Sequence, residues 1–432
     1  MQFTDILVLV LSFSSLLLLR IPVAFSIGLA TVATMLLTVK TAPALTTVAQ
    51  RMAAGLDSFA LLAIPFFILA GQMMNRGGIA RRLIDFAKVI VGRLPGSLAY
   101  VNIVACMLFG SISGSAVAAT AAIGGFMTPM MKKEGYDRDY SAAVNITSST
   151  TGLIIPPSNI LIVYSLASGG VSIAALFLAG YIPGMIVGLS LMVTAGWIAY
   201  RRGYPAGEKM GSREGARRLL DALPSLVLLI VVMGGIVAGI FTATEASGVA
   251  VLYTFVLSVL VYREVKWSEI PNILLESSVT TAIVMLLVAT SVGMSWILSY
   301  VNIPQTVSQA LIAATDNQFL ILLAINVLLL AVGTFMDITP AVLIFTPIFL
   351  PAVMQMGMDP IHFGILLVLN LCIGLTTPPV GTVLFVGCGV AQTSITKVIR
   401  PLFPLYVAMI IALLLVTYIP ELSLFLPRLF GY

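Results

Sequence analysis

Charge is what this sequence of 432 residues has least of: Lys, Arg, Asp and Glu together make up 9%, against 59% hydrophobic residues. A soluble domain carries about 25% charged residues, so the composition excludes a soluble globular chain and leaves an integral membrane protein. There is a single histidine, His362, at the start of a helical run, where it reads as incidental rather than as a proton relay. The three cysteines, Cys106, Cys372 and Cys388, sit in apolar runs without metal-ligand spacing. They read as core packing, not as a disulfide frame or a zinc site. No G-x-x-x-x-G-K-[ST] phosphate loop occurs, so an ATP-driven pump would have no nucleotide site. No convergent acid, base or metal set of the kind an enzyme needs is visible either. The net charge of +5 would suit nucleic acid in a soluble protein, but here the basic residues fall between apolar runs and report membrane topology.

Apolar runs are what the chain has in abundance. Spans are expected at 3–19, 21–39, 57–75 and 172–200, and again at 219–240, 244–262, 274–298 and 401–420. At 1.5 Å per residue these match a hydrocarbon core of about 30 Å. The first span lacks a basic n-region and continues through Arg20-Ile21-Pro22 into the next, so it belongs to the structure and is not a signal peptide. Amphipathic segments at 79–94 and 302–315 suit arms lying along the interface.

Four runs are broken by polar or helix-breaking residues. Residues 97–131 break at Gly110-Ser111-Ile112-Ser113-Gly114-Ser115, and 137–168 at Gly152-Leu153-Ile154-Ile155-Pro156-Pro157-Ser158-Asn159. Residues 318–354 break at Gly333-Thr334-Phe335-Met336-Asp337, and 360–391 at Gly374-Leu375-Thr376-Thr377-Pro378-Pro379. Irregular backbone at membrane depth persists only where it is buried in protein or lines a wet cavity. Each pair therefore reads as a re-entrant hairpin beside an interrupted helix, the arrangement that builds a midplane site in secondary transporters. The proline pairs suit the start of a half-helix.

The pattern repeats. A shift of 222 residues lays Pro129, Gly135, Asp137, Gly152, Leu153, Pro156 and Pro157 on Pro351, Gly357, Asp359, Gly374, Leu375, Pro378 and Pro379, seven identities in 29 positions. The chain divides into a first repeat at 1–200, a cytoplasmic linker at 201–218 and a second repeat at 219–432. Each half makes five crossings, because a hairpin adds none, so the second half enters inverted. With the linker inside, 19 of the 22 Lys and Arg fall on the cytoplasmic side, leaving Lys40, Arg51 and Arg428 outside, as the positive-inside rule requires. The expected fold is an all-α integral membrane protein of inverted-repeat, elevator type. Hairpins and broken helices form its transport domain, and the remaining spans its scaffold.

The breaks supply hard oxygen ligands, which suit sodium. At the first pair the candidates are Gly110, Ser111, Ser113, Gly114, Thr151 and Gly152; at the second they are Gly333, Thr334, Asp337, Thr376 and the Gly381 backbone. For a solute the candidates are Ser113, Ser115, Ser158, Asn159, Asp337, Thr339 and Thr377. No Lys or Arg lies at either tip, so a carboxylate would be held by hydroxyls and half-helix N-termini. The outer segments 299–317 and 355–362 contain no Lys or Arg; Asp316 and Asp359 there offer charge to a docking protein.

The four broken motifs, with Ile64-Pro65-Phe66-Phe67 and Leu69-Ala70-Gly71 of the third span, resemble the large membrane subunit (DctM type) of tripartite ATP-independent periplasmic transporters, the TRAP family. The resemblance runs the full length. It implies sodium-coupled import of an organic acid, such as a C4-dicarboxylate or sialic acid, across the bacterial inner membrane by elevator movement. It also implies a soluble periplasmic binding protein and a small membrane subunit (DctQ type), expected as a separate polypeptide because the four extra spans of fused versions are lacking. No organic cofactor is implied, only Na+ as coupling ion. The alternatives are a single-component sodium/dicarboxylate carrier and, from another class, a channel with the tips as its filter.

Overall fold

The computed structural model describes residues 2–207, 211–315 and 317–432, and these are helical throughout, with a lone bridge between Pro95 and Ala206 in place of any sheet. The first half contains α1 (Gln2–Leu18), α2 (Val23–Thr38), α3 (Thr41–Leu56), α4 (Ala63–Arg76), α5 (Ile79–Val91), α6 (Ser97–Ser113), α7 (Ala116–Lys133), α8 (Arg138–Ser149), α9 (Thr151–Ile154), α10 (Asn159–Ala167) and α11 (Ile173–Arg201). The second contains α12 (Ser212–Val237), α13 (Ala243–Phe255), α14 (Ile270–Tyr300), α15 (Ile303–Ala314), α16 (Gln318–Gly333), α17 (Ile338–Gln355), α18 (Pro360–Gly374), α19 (Thr382–Ala391), α20 (Ile395–Tyr418) and α21 (Glu421–Leu429). Among the described residues seven helices are long and apolar enough to cross a bilayer, or eight with the pair that bends by 51° between Ile154 and Asn159.

The fold is an all-α membrane bundle with two hairpins, α6–α7 and α16–α17, and two interrupted helices, α8–α10 and α18–α19. Local chemistry sets the breaks. Gly114 ends α6 at φ +60, a conformation that glycine adopts without a Cβ penalty. Ser115 then caps α7 by accepting from Ala118 N at 3.2 Å. Asp337 caps α17 through Ile338 N at 2.7 Å. Asp137 and Asp359, equivalent under the 222-residue shift, cap the two interrupted helices through Tyr140 N at 2.8 Å and Ile361 N at 2.7 Å.

Several expectations need correction. The proline pairs do not start the half-helices: α10 begins at Asn159 and α19 at Thr382, while Pro156-Pro157 and Pro378-Pro379 form cis bonds within the irregular stretch. The linker is shorter than 201–218, because α12 already begins at Ser212; residues 208–210 lie outside the described set. Its charged first turns, where Arg218 reaches Glu214 at 2.6 Å and Asp85 at 3.5 Å, are helix projecting beyond the apolar core. The linker packs on the first half, where Tyr204 stacks on Tyr136 at 4.3 Å and accepts from Asp137 N at 3.0 Å. The final span starts at Ile395 rather than 401, and α21 follows it. Helix α3 fills a stretch to which the sequence assigns no span. Its apolar face is thin, with Ala44, Val48 and Gly55 buried, and it packs against α14.

The two halves interlock. Helix α10 of the first packs on α17 of the second, and α7 on α19; α8 lies against α20, and α18 against α11. Buried polar pairs fix each hairpin to its own interrupted helix. Ser148 Oγ donates to Asn102 Oδ1 at 3.2 Å, and Asn370 Nδ2 donates to Asn326 Oδ1 at 2.8 Å. In an apolar interior such groups are costly unless paired, so they also set the register. His362 is a structural tie, with Nδ1 2.6 Å from Ser423 Oγ and Nε2 3.2 Å from the Thr417 carbonyl.

Candidate functional site

The hairpin tips and helix breaks meet around one cavity of about 250 Å³. Four half-helices open into it by their first residues: α7 with Ser115 to Ala118, α10 with Asn159 and Ile160, α17 with Ile338 and Thr339, and α19 with Thr382. A helix N-terminus carries unpaired N–H groups and the positive end of the dipole, so four of them make this cavity favourable for an anion. Among the described residues no Lys, Arg or His lines it, and the only charged one that does is Asp337.

Of the solute candidates, Ser113, Ser115, Asn159, Asp337 and Thr339 line the cavity, and Ser158 and Thr377 do not. Ser158 Oγ instead donates to the Leu153 carbonyl at 2.5 Å, bridging the break, and Thr377 Oγ1 to the Ile373 carbonyl at 2.8 Å. Asn159 Oδ1 is buried and has no hydrogen-bond partner among the described residues, which leaves an acceptor open at the cavity wall. Its Nδ2 lies where a Cβ on Gly114 would approach to 2.8 Å.

Of the ion candidates, Ser113, Gly114 and Asp337 line the cavity; Gly110, Ser111, Thr151, Gly152, Gly333, Thr334 and Thr376 lie at or next to the points where each hairpin crosses its interrupted helix, and Gly381 lies in the break between α18 and α19. Both crossings are glycine on glycine. A Cβ on Gly152 would lie 2.2 Å from Gly110 Cα, and one on Gly374 would lie 2.5 Å from Gly333 Cα. Around them the hydroxyls of Ser111, Thr151, Thr334 and Thr376 donate to the carbonyls of Leu108, Ser148, Ala331 and Ile373, at 2.6 to 2.8 Å. A hydroxyl whose proton is committed to the preceding turn presents only lone pairs elsewhere, as a cation ligand must. The Thr376 carbonyl accepts from the Tyr406 hydroxyl. Gly381 sits where a Cβ would press on the carbonyls of Leu375 and Thr377, at 2.7 and 2.8 Å.

The opposite wall belongs to unbroken helices: Gly71, Gln72 and Asn75 from α4, and Thr280 and Val284 from α14. Gly71 permits the approach, for a Cβ there would stand 3.0 Å from the Ser113 carbonyl. Gln72, Asn75 and Thr280 are not among the sequence candidates. The available signal was their spacing: Gln72 and Asn75 are polar residues three apart in an apolar span, hence on one face.

Residues 10–422 match the family model of the tripartite ATP-independent periplasmic transporter, DctM component. The chain belongs to the DctM family. The family is a transporter permease family, and the expected motif resemblance holds over nearly the whole chain. Among DctM relatives, YgiK of Salmonella typhimurium is 52% identical, covering 99% of this chain and 98% of its own. The C4-dicarboxylate TRAP transporter large permease protein DctM of Rhodobacter capsulatus is 37% identical, over 96% and 97%. The sialic acid TRAP transporter large permease protein SiaM of Vibrio cholerae is 39% identical, over 95% and 96%. Among solved structures, the YdaH transporter of Alcanivorax borkumensis superposes with a TM-score of 0.64 over 88% of this chain and 89% of its own, at 14% identity, a likeness of fold alone.

Proposed function

We propose that this chain is the large membrane subunit of a sodium-coupled, binding-protein-dependent importer of an organic acid, of the C4-dicarboxylate or sialic acid type, in the bacterial inner membrane. The observation that carries the reading is the cavity with four half-helix N-termini and Asp337 as its lone charge. The N-termini favour a carboxylate, while Asp337 opposes it. Two like charges a few ångströms apart repel unless a cation between or beside them, or a proton on one of them, offsets the pair. Sodium at the tips would thus prepare the cavity for the anion, a physical basis for coupling. Both wall types contribute: the broken elements form a transport domain, and α4 and α14 belong to the scaffold against which it slides. Such a boundary position suits an elevator, in which contacts to Gln72, Asn75 and Thr280 are exchanged during movement. A small membrane subunit and a periplasmic binding protein complete the assembly. The binding protein could meet the outer face at Asp359, whose Oδ1 accepts from Ile361 N as the cap of α18; Asp316, the other acidic candidate, lies outside the described residues.

The test is uptake in proteoliposomes holding the chain and its small subunit. Uptake should saturate with solute, require an inward sodium gradient and fall at least tenfold when the binding protein is omitted. Equal rates without the binding protein would move the assignment to single-component carriers. Flux that neither saturates nor needs sodium would move it to channels.

Ion pairs support the inverted topology. Arg76–Glu276 at 2.5 Å, Arg82–Glu264 at 3.7 Å, Arg202–Asp137 at 3.4 Å and Arg218–Asp85 at 3.5 Å each join segments at the end of the bundle assigned to the cytoplasm. The native cysteines are buried and should stay silent to an impermeant maleimide. Cysteines at Lys132 and Gly211 are expected to label from the cytoplasm only, and one at Glu421 from outside only. Labelling of positions 132 and 421 from the same side would rule out the inversion.

A further inference from the structure

We propose a second anion site at the opposite end of α7 from the solute cavity, in the cleft between α7, α8 and the end of α19, taking an oxyanion of the phosphate or carboxylate class. The cleft has a volume of about 240 Å³, and Thr128, Lys132, Arg138, Ser141 and Gln392 supply its polar lining, with no Asp or Glu among the lining residues. Lys132 lies 16 residues beyond Ala116, so about 24 Å of helix separates it from the first cavity.

Arg138 is held in place. Its Nε donates to the Ala391 carbonyl at 2.6 Å, and its Nη2 to Gln392 Oε1 at 3.1 Å. This leaves Nη1 and one Nη2 proton of the planar fork for a ligand, pre-oriented by the two bonds already made. Neither Arg138 nor Lys132 pairs with a carboxylate among the described residues. The nearby acids are engaged elsewhere or face away. Asp137 caps α8 and pairs with Arg202, Asp139 accepts from Thr393 Oγ1 at 2.5 Å, and Glu134 does not line the cleft. The cleft also receives Ser141 of the first turn of α8, whose hydroxyl donates to the Asp137 carbonyl at 2.8 Å, so Lys132 and Arg138 supply its positive charge. Two full positive charges around a concave space favour an anion, and Arg chemistry selects one with two or three oxygens.

An anion bridging Lys132 to Arg138 would join the first hairpin to the second interrupted helix, on whose last turn Arg138 is anchored. The oxyanion has two possible sources, a phospholipid headgroup or a free anion of the aqueous phase. The experiment measures binding without uptake, so its outcome stands apart from the proposed transport.

The purified full chain would be followed by thermal unfolding in two arms. One arm titrates inorganic phosphate in neutral detergent at constant ionic strength; the other compares nanodiscs of phosphatidylcholine with and without phosphatidylglycerol. A saturable rise in midpoint is expected for the wild type and for Lys132→Arg. Apparent affinity should weaken about tenfold or more in Lys132→Gln, the loss of one charge-assisted contact, and hold in Arg428→Gln on the other face. Lys132 is exposed, so its replacement leaves the core intact. A response to phosphate assigns a free anion as occupant, and a response to phosphatidylglycerol alone assigns the headgroup. Equal responses of wild type and Lys132→Gln in both arms, or no response in either, would overturn the site.

Discussion

Gly152→Ala is expected to reduce uptake by about 100-fold, the scale of a misplacement of about 1 Å at a working site. The added Cβ would stand 2.2 Å from Gly110 Cα, 2.5 Å from Gly110 C and 2.9 Å from Ser111 N. All three are backbone atoms, so no rotamer relieves the clash and α6 must separate from α9. Separation costs about 1–3 kcal/mol, as overpacking does, and it moves Ser113, Gly114 and Ser115 away from Asn159. Gly374→Ala, facing Gly333 Cα at 2.5 Å, should act alike in the second repeat. Gly389→Ala has nothing within 4 Å of its new Cβ and serves as the neutral control. Initial uptake rates normalised to monodisperse protein check this, and near-normal transport by Gly152→Ala would show that the crossing can open without consequence.

The second large effect concerns Asp337, where charge and capping can be separated. Asp337 Oδ1 accepts from Ile338 N at 2.7 Å, a role that asparagine also fills. Asp337→Asn should therefore fold as the wild type but bind sodium more weakly. A unit charge about 4 Å from the ion is worth about 4 kcal/mol at an effective dielectric constant of 20. Desolvation offsets part of this, so the sodium concentration for half-maximal uptake should rise at least tenfold. Asp337→Ala should show the same rise and, in addition, lose about 1 kcal/mol of stability with the cap. An unchanged sodium dependence in Asp337→Asn, with lowered stability in Asp337→Ala, would reduce Asp337 to a cap.

The breaks were legible because glycine, serine and proline interrupt apolar runs at Gly110, Gly152, Gly333 and Gly374, where nothing but a functional or packing need tolerates them. Their pairing into two hairpins, each beside an interrupted helix, followed from the repeat, whereas the glycine-on-glycine crossings appear only in the structure. The orientation of each hydroxyl was not legible. Whether Ser158 faces a cavity or bonds to the Leu153 carbonyl depends on a rotamer and on where the chain re-enters helix, and spacing encodes neither. Asp137 and Asp359 stood out as a repeated pair, yet only the geometry of Tyr140 N and Ile361 N makes them caps. Helix α3 escaped notice because a helix resting on a neighbour needs only a narrow apolar stripe, and Pro43 in its first turn looks like a loop residue although that turn accepts it. Gln72, Asn75 and Thr280 were missed because they sit on continuous helices, where a polar residue leaves no mark on backbone regularity.

The interlocking of the halves bears on how the protein is made. Since α10 rests on α17 and α7 on α19, a nascent chain that has inserted only as far as α11 has its two breaks paired with each other at Gly110 and Gly152 but leaves the faces of α7 and α10 without the partners they meet in the second half. Those faces must wait, covered by lipid or by other membrane factors, until the second half arrives from the ribosome. Neither half is a self-sufficient folding unit, and a chain severed between α11 and α12 would mature only if both fragments were synthesised in the same membrane.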